Sequence, residues 1–294
     1  MKKLFYSKKA APYIFVLPFV LTFILFWIGP ISKGVVLSFQ DTQQETWVGF
    51  KNYSRMLTDK IFFKAVLNSV KYMVWTLILL IPFPLMFAAL LNSKLMKKAD
   101  FFKSIYFLPA LTSVVVAGTV FRLMFGESPN ALMNQITNLL GIGTVRWLRS
   151  GDTGFFALLL LCCWRWTGVN ILYFLAGIQS IPTELYEAAD IDGASKWQQF
   201  RYVTIPLVKP TTVYVLTISI YAGLSMFLES FMLWKGNNSP NNIGLTIVGY
   251  LYRQGVDKQA MGYACAVGIV LLLLVMVVNL IQLKATGTFD KRED

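Results

Sequence analysis

Pro182-Thr-Glu-Leu-Tyr-Glu187-Ala188-Ala189-Asp190-Ile-Asp-Gly193-Ala194-Ser-Lys-Trp197-Gln-Gln-Phe200-Arg201-Tyr-Val203-Thr-Ile205-Pro206 is a polar stretch between two long apolar runs. Pro182 suits the first turn of a helix, where its missing N–H would have no partner in any case. Glu184 and Glu187 then lie near the positive end of the helix dipole. Gly193 suits the left-handed residue that ends a helix. Ser195, followed three residues later by Gln198, is a capping-box pattern for a second helix. Pro206 and Pro210 close that second helix and open the next apolar run. The stretch reads as helix, sharp glycine turn, helix, lying at a membrane surface. Ala188 and Ala189 are small enough to let another chain approach closely. Leu185, Trp197 and Phe200 offer apolar anchors. An ordinary amphipathic loop would account for Glu-Ala-Ala alone; the register of the whole stretch asks for more.

Hydrophobic residues make up 56% of the 294-residue chain and charged residues 14%, with a mean hydropathy of +0.57. A soluble domain carries roughly 25% charged residues. The length leaves room for several spans of about 20 residues each. The net charge of +12 does not point to nucleic acid, because the basic residues sit at the ends of apolar runs and not on a continuous polar face. In a membrane protein such residues set topology. The chain has no histidine, so neither a histidine proton relay nor a histidine-ligated metal exists. Cys162, Cys163 and Cys265 lack metal-like spacing and read as small packing residues inside apolar runs.

The expected fold class is an all-α membrane protein with six transmembrane helices. The apolar runs fall at about 12–36, 66–91, 104–125, 155–179, 208–234 and 260–283. The first run reads as a retained span, since it is long, contains Pro18 and precedes no small-residue cleavage site. Lys2, Lys3, Lys8 and Lys9 precede it. Lys94, Lys97, Lys98 and Lys103 crowd the next inner connection, Lys196 and Arg201 the polar stretch, and Lys284, Lys291 and Arg292 the end. These segments are expected to be cytoplasmic, both termini included. Pro12, Pro18, Pro30, Pro82, Pro84 and Pro109 are expected to kink their spans. Segment 37–64 is expected to be an ordered outer loop with a short amphipathic helix near 52–64.

Glu187-Ala188-Ala189, three residues, Gly193, nine residues, then Val203-Thr-Ile205-Pro206 resembles the EAA motif of ABC-importer permeases. Val203 and Ile205 stand where that motif has Ile and Leu. Other stretches are similar to the carbohydrate branch, and to the first permease of the maltose type. They are Gly49-Phe50-Lys-Asn52-Tyr53, Lys103-Ser-Ile-Tyr-Phe107-Leu108-Pro109 and Met261-Gly-Tyr263-Ala-Cys-Ala266. The Gly-Gly-Pro of that subgroup is eroded to Gly236-Asn-Asn-Ser-Pro240.

The resemblance implies a type I ABC importer permease fold in a bacterial cytoplasmic membrane. An N-terminal part (1–65) would precede a permease domain (66–283) holding the coupling loop 180–207, followed by a tail (284–294). It implies a second, different permease, two ATPases carrying the ATP and Mg, an extracytoplasmic solute-binding protein and a sugar substrate. Glu187, Ala188, Ala189, Asp190, Gly193, Ala194 and Pro206 would meet the ATPase. The chain has no Gly-x-x-x-x-Gly-Lys-Ser/Thr loop, so it is expected to be a transport subunit, not an enzyme, with no cofactor or metal of its own.

Polar groups inside spans are costly and are candidates for function. Arg122, Arg165, Asn170, Gln179, Glu229 and Asn279 qualify. Sugars present hydroxyls for hydrogen bonds and C–H faces for aromatic rings. Trp166, Asn170 and Tyr173 fall at helical spacing, and Tyr221, Ser225 and Glu229 recur every four residues and so would share one helix face. These six are the candidate sugar contacts. Arg165 could equally pair with Glu229 as a structural bridge, and the aromatic residues could belong to an interfacial belt. An ion-coupled secondary transporter is the main alternative. Glu229 as the one carboxylate assigned to a span is thin support for it. An ABC importer for a non-sugar solute is the other alternative. A membrane enzyme lacks its signatures here, with no Gly-x-Ser-x-Gly elbow and no paired intramembrane carboxylates.

Overall fold

A computed structural model describes residues 11–93, 96 and 98–289. Lys2, Lys3, Lys8, Lys9, Lys94, Lys97, Lys291 and Arg292, which carry much of the orientation argument, lie outside the described residues. The main helices are α1 (Ala11–Ser38), α2 (Lys51–Thr58), α3 (Lys60–Leu80), α4 (Pro82–Asn92), α5 (Ala99–Leu111), α6 (Val114–Met124), α7 (Leu132–Leu139), α8 (Gly151–Gln179), α9 (Thr183–Ile191), α10 (Lys196–Leu207), α11 (Lys209–Leu224), α12 (Leu228–Leu233), α13 (Ile247–Tyr252) and α14 (Met261–Ala285). Among the described residues four helical stretches are long and apolar enough to cross a membrane, or six if each bent pair is one span.

One compact unit holds the chain up to Asp59 with Leu251–Val270. In α1 a π-helical turn at Ile24–Ile28 precedes Pro30, and the Gly29 N–H reaches back five residues to the Ile24 carbonyl. A short antiparallel ribbon follows, Gln40–Asp41 against Thr46–Trp47. Asn52 ties it to α2, its amide donating to the carbonyls of Ser38 (2.9 Å) and Gln40 (3.0 Å). Gly262 packs against the Gln40 carbonyl so closely that a side chain would collide. The amphipathic helix expected near 52–64 stops at Thr58, because Asp59 is extended (φ −83°, ψ 105°) and separates it from α3.

The other unit holds Lys60–Tyr250 and the chain from Leu271. Its axis is α8, which packs against α3, α4, α5, α6, α11 and α12. Leu161, Ala157, Ile171 and Phe174 are fully buried along it. Glycines allow the close approaches. At Gly168 an added Cβ would strike the backbone carbonyl of Tyr106 in α5, and at Gly223 of α11 it would meet Met73 of α3.

Two spans are interrupted near the prolines expected to kink them, and a third differs from expectation. The run 66–91 breaks at Ile81, between α3 and α4. Pro84 has no N–H for the Leu80 carbonyl four residues back, and the buried Asn170 amide donates to that carbonyl instead (2.8 Å). The run 104–125 bends by 93° between α5 and α6, at Thr112 and Ser113, past Pro109. The run 208–234 is not one helix. α11 ends at Leu224, Phe227 leaves helical geometry (φ −143°, ψ −57°), and α12 begins at Leu228. Tyr221, Ser225 and Glu229 therefore do not share a helix face. The Ser225 hydroxyl turns back onto the Tyr221 carbonyl (2.6 Å) instead of projecting in line with Glu229.

Candidate functional site

The polar stretch folds as two short helices turning on Gly193. Pro182 stands just before α9 as its cap, in extended geometry, and the helix proper starts at Thr183. At its far end the Ala194 N–H donates to the Ala189 carbonyl (2.9 Å) and the Gly193 N–H to the Asp190 carbonyl (3.1 Å). This is the paired closure of a Schellman motif, and it requires a left-handed residue. Gly193 supplies it, at φ +74°. The expected capping box also forms. Ser195 Oγ accepts from the Gln198 N–H (3.3 Å), and Gln198 Oε1 accepts from the Ser195 N–H (2.7 Å).

Side chains then lock the two helices together. Asp190 accepts from Lys196 Nζ (2.8 Å) and from the buried Gln199 amide, which also donates to the Ala194 carbonyl (3.2 Å). The Tyr186 and Thr204 hydroxyls pair at 2.9 Å. Asp190 and Ala194, expected to meet an ATPase, thus also hold the loop in shape. α10 carries a π-helical turn at Phe200–Thr204, and the chain bends by 66° at Val208 before α11. Pro206 is exposed at this end of the loop.

Glu184, Glu187 and Ala188 are exposed, and Ala189 is half-buried. Around them Leu185, Ile191, Trp197 and Tyr202 project into the open, Ile191 with 86% of its surface exposed and Trp197 with 66%. Phe200, read from sequence as an exposed anchor, is half-buried against Trp197 and the α4–α8 core. Ile191 takes that role, and sequence reading missed it. Its place three residues after the exposed Ala188 was the available signal.

Inside the bundle Arg165 Nη1 of α8 donates to Glu229 of α12 at 2.8 Å. Arg122 Nη1 of α6 donates to the Met232 carbonyl in the last turn of α12 (3.1 Å). Gly118 of α6 lies directly against Met232. Trp166 and Tyr173 are 39% and 37% exposed, and Tyr173 meets Tyr214 edge to face at 5.4 Å. Asn170 lies between them in sequence but is buried, with its amide on the Leu80 carbonyl. Tyr221 is exposed and Ser225 half-buried at the end of α11. Sequence reading also passed over Asn134, buried outright and the knot of the segment after α6. It accepts from Val145 N–H and Trp147 Nε1 and donates to the carbonyls of Gly126 and Ser128. Among the described residues no group of three or more Cys, Asp or Glu could hold a metal ion.

A bundle built on one central helix, with broken spans and an exposed, glycine-turned helix pair between α8 and α11, is an arrangement suited to a membrane transport subunit. The chain belongs to the family of binding-protein-dependent transport system inner membrane components, whose profile matches residues 97–284. It is 53% identical over 290 residues to the arabinooligosaccharides transport system permease protein AraP of Bacillus subtilis, covering 98% of this chain and 92% of that one. It is 30% identical to the lactose transport system permease protein LacF of Rhizobium radiobacter, covering 93% of each. A solved bacterial ABC transporter that imports the acidic polysaccharide alginate has a chain of the same fold, with a TM-score of 0.85 at 24% identity and 96% coverage of both chains.

Proposed function

We propose that this chain is a permease subunit of an ATP-driven oligosaccharide importer, forming half of the translocation pathway. The exposed loop of α9 and α10 carries the reading. It projects Glu187, Ala188, Ile191 and Trp197 from a scaffold fixed by the Schellman closure, the capping box and Asp190. A rigid, partly apolar projection of this kind suits a cleft in another protein. Its sequence matches the EAA pattern by which such permeases engage their ATPases. The partners are then a second, different permease, two ATPases and an extracytoplasmic solute-binding protein. Hydrolysis of ATP falls to the ATPases, since this sequence has no phosphate-binding loop.

The topology we propose is six spans in a bacterial cytoplasmic membrane, with the α9–α10 loop and both termini inside. Lys98, Lys103, Lys196, Arg201 and Lys284 on the inner side support it. The 53% identity to an arabinooligosaccharide permease supports short arabinose-containing oligosaccharides as the substrate class. The ion-coupled alternative has little support from carboxylates, since Glu229 is the one assigned to a span and it is paired with Arg165.

The test is a mild-detergent purification of the tagged chain from its own membrane, with uptake of labelled arabinotriose by intact cells. The expected result is recovery of a second permease and an ATPase, and uptake that disappears when the gene is deleted. Recovery of the chain alone, with uptake that collapses under a proton uncoupler while ATP stays high, would overturn the proposal.

A further inference from the structure

Arg165 is the middle residue of the 29-residue helix Gly151–Gln179, so it lies near mid-depth of that span. Its ion pair with Glu229 is mostly enclosed, the side chains being 11% and 12% exposed. Arg165 Nε is buried with no hydrogen-bond partner. Glu229 stands in the first turn of α12, immediately past the break that ends α11. Charges at this depth are costly, and in transporters they mark substrate routes. Broken helices at mid-depth are tolerated where the freed backbone is buried or lines a cavity, and substrate sites are built from such breaks. Trp166 beside the pair is 39% exposed, with the Arg165 guanidinium 5.4 Å from its ring centre.

A guanidinium is a planar, delocalised cation. Left alone in the pathway it would be a fixed cation, shaped to take a carboxylate through two parallel hydrogen bonds. Glu229 already sits against that fork, through one bond from Nη1 at 2.8 Å. We propose that Glu229 is a specificity-determining residue: by neutralising Arg165 it makes this point of the pathway select uncharged oligosaccharides over those bearing uronic-acid carboxylates. The proposal rests on the oligosaccharide-importer reading. An acidic sugar reaching Arg165 must displace Glu229 and leave that carboxylate unpaired, or approach it as a like charge. A neutral sugar meets a pair with no net charge and the adjacent Trp166 ring.

The competing role is that of a fastener, since Arg165 and Arg122 grip α12 near both ends. A fastener weakens every substrate alike when broken. A filter changes the ratio between substrates. The experiment uses the complete importer, purified with its partner permease and ATPases. Arabinotriose and trigalacturonate are titrated against it without the binding protein, followed by tryptophan fluorescence. Wild-type complex should bind arabinotriose at least ten-fold more tightly than trigalacturonate. In Glu229→Gln the ratio should move at least ten-fold toward trigalacturonate, with the gained binding sensitive to salt. In Arg165→Gln/Glu229→Gln it should return toward the wild-type value. If Glu229→Gln is lost from the membrane, Arg165→Gln/Glu229→Lys leaves one unpaired cation on the other helix and is read with the same outcomes. A ratio that stays fixed while both affinities fall together overturns the filter and leaves a fastener. Intact cells carrying the wild-type complex that take up no labelled arabinotriose overturn the importer reading itself, and the filter with it.

Discussion

At the scale of single residues, Gly193 and Asn170 carry distinct physical demands. Gly193 sits at φ +74° with nothing within 4 Å of where a side chain would begin. Its constraint is therefore conformational and not steric. A left-handed L-residue costs about 1–2 kcal/mol, and Asn less because its short amide bonds locally. Gly193→Val should lower transport and sugar-stimulated ATP hydrolysis several-fold, while Gly193→Asn retains most of both. Equal loss in the two variants, measured in proteoliposomes, would mean that the space above the turn is what counts. Asn170 makes a different demand. It repairs the carbonyl that Pro84 leaves without a donor. Asn170→Leu should destabilise the detergent-solubilised chain by about 1–3 kcal/mol, the cost of an orphaned buried acceptor. Pro84→Ala restores the helix's own donor. The double variant should then lose about 1 kcal/mol less than the two single losses combined. Strict additivity in thermal unfolding would remove the repair role.

At the scale of elements, glycine contacts fix how the helices lie against α8 and its neighbours. At Gly168 the obstacle to a side chain is the Tyr106 backbone, which cannot swing aside as a flexible side chain would. Gly168→Ala should therefore displace α5 and lower the unfolding temperature. Gly34→Ala, in α1 with nothing within 4 Å, should hold or raise it, because alanine is the better helix former by about 1 kcal/mol. If both variants unfold together with wild type, close α5–α8 packing does not limit stability. The sequence already told which segments are apolar helices and where the glycine turn falls, because hydropathy and cap chemistry are local signals. It did not tell that the run 208–234 breaks after Leu224. Ser225, Met226 and Phe227 contain neither Gly nor Pro, and apolar residues continue on both sides of the break. What holds α12 in place comes from elsewhere in the chain: Arg122, Arg165 and the Gly118 surface. The structural bond of Asn170 was hidden from the sequence for the same reason. Its partner is a carbonyl 90 residues away, exposed by a proline whose consequence becomes visible only when the two helices meet.

At the scale of the whole molecule, the α9–α10 loop is where force from a partner would enter. Its interior is satisfied within the chain, through Asp190, Lys196, Gln199, Tyr186 and Thr204. Its exterior is not, since Ile191 and Trp197 remain open to solvent beside Glu187. Two classes of substitution should therefore separate. Ile191→Ser removes apolar contact without touching the scaffold, Trp197→Ser does so at the cost of one ring contact with Phe200, and Glu187→Lys reverses a charge on the same exposed loop. These variants should insert normally and keep the wild-type unfolding temperature, yet recover at least ten-fold less ATPase on purification. Truncating a hot-spot anchor at the centre of an interface costs about 2 kcal/mol or more, which is enough for that loss. Asp190→Ala acts on the scaffold instead. It removes the shared acceptor of Lys196 and Gln199, loosens α9 against α10, and should lower both ATPase recovery and the protease resistance of the loop. Limited proteolysis of the free chain distinguishes the classes, because only the scaffold variant should be cut faster when no ATPase is present. If Trp197→Ser is cut as fast as Asp190→Ala, the exposed aromatic is part of the loop's own fold and the docking surface must lie elsewhere on the chain.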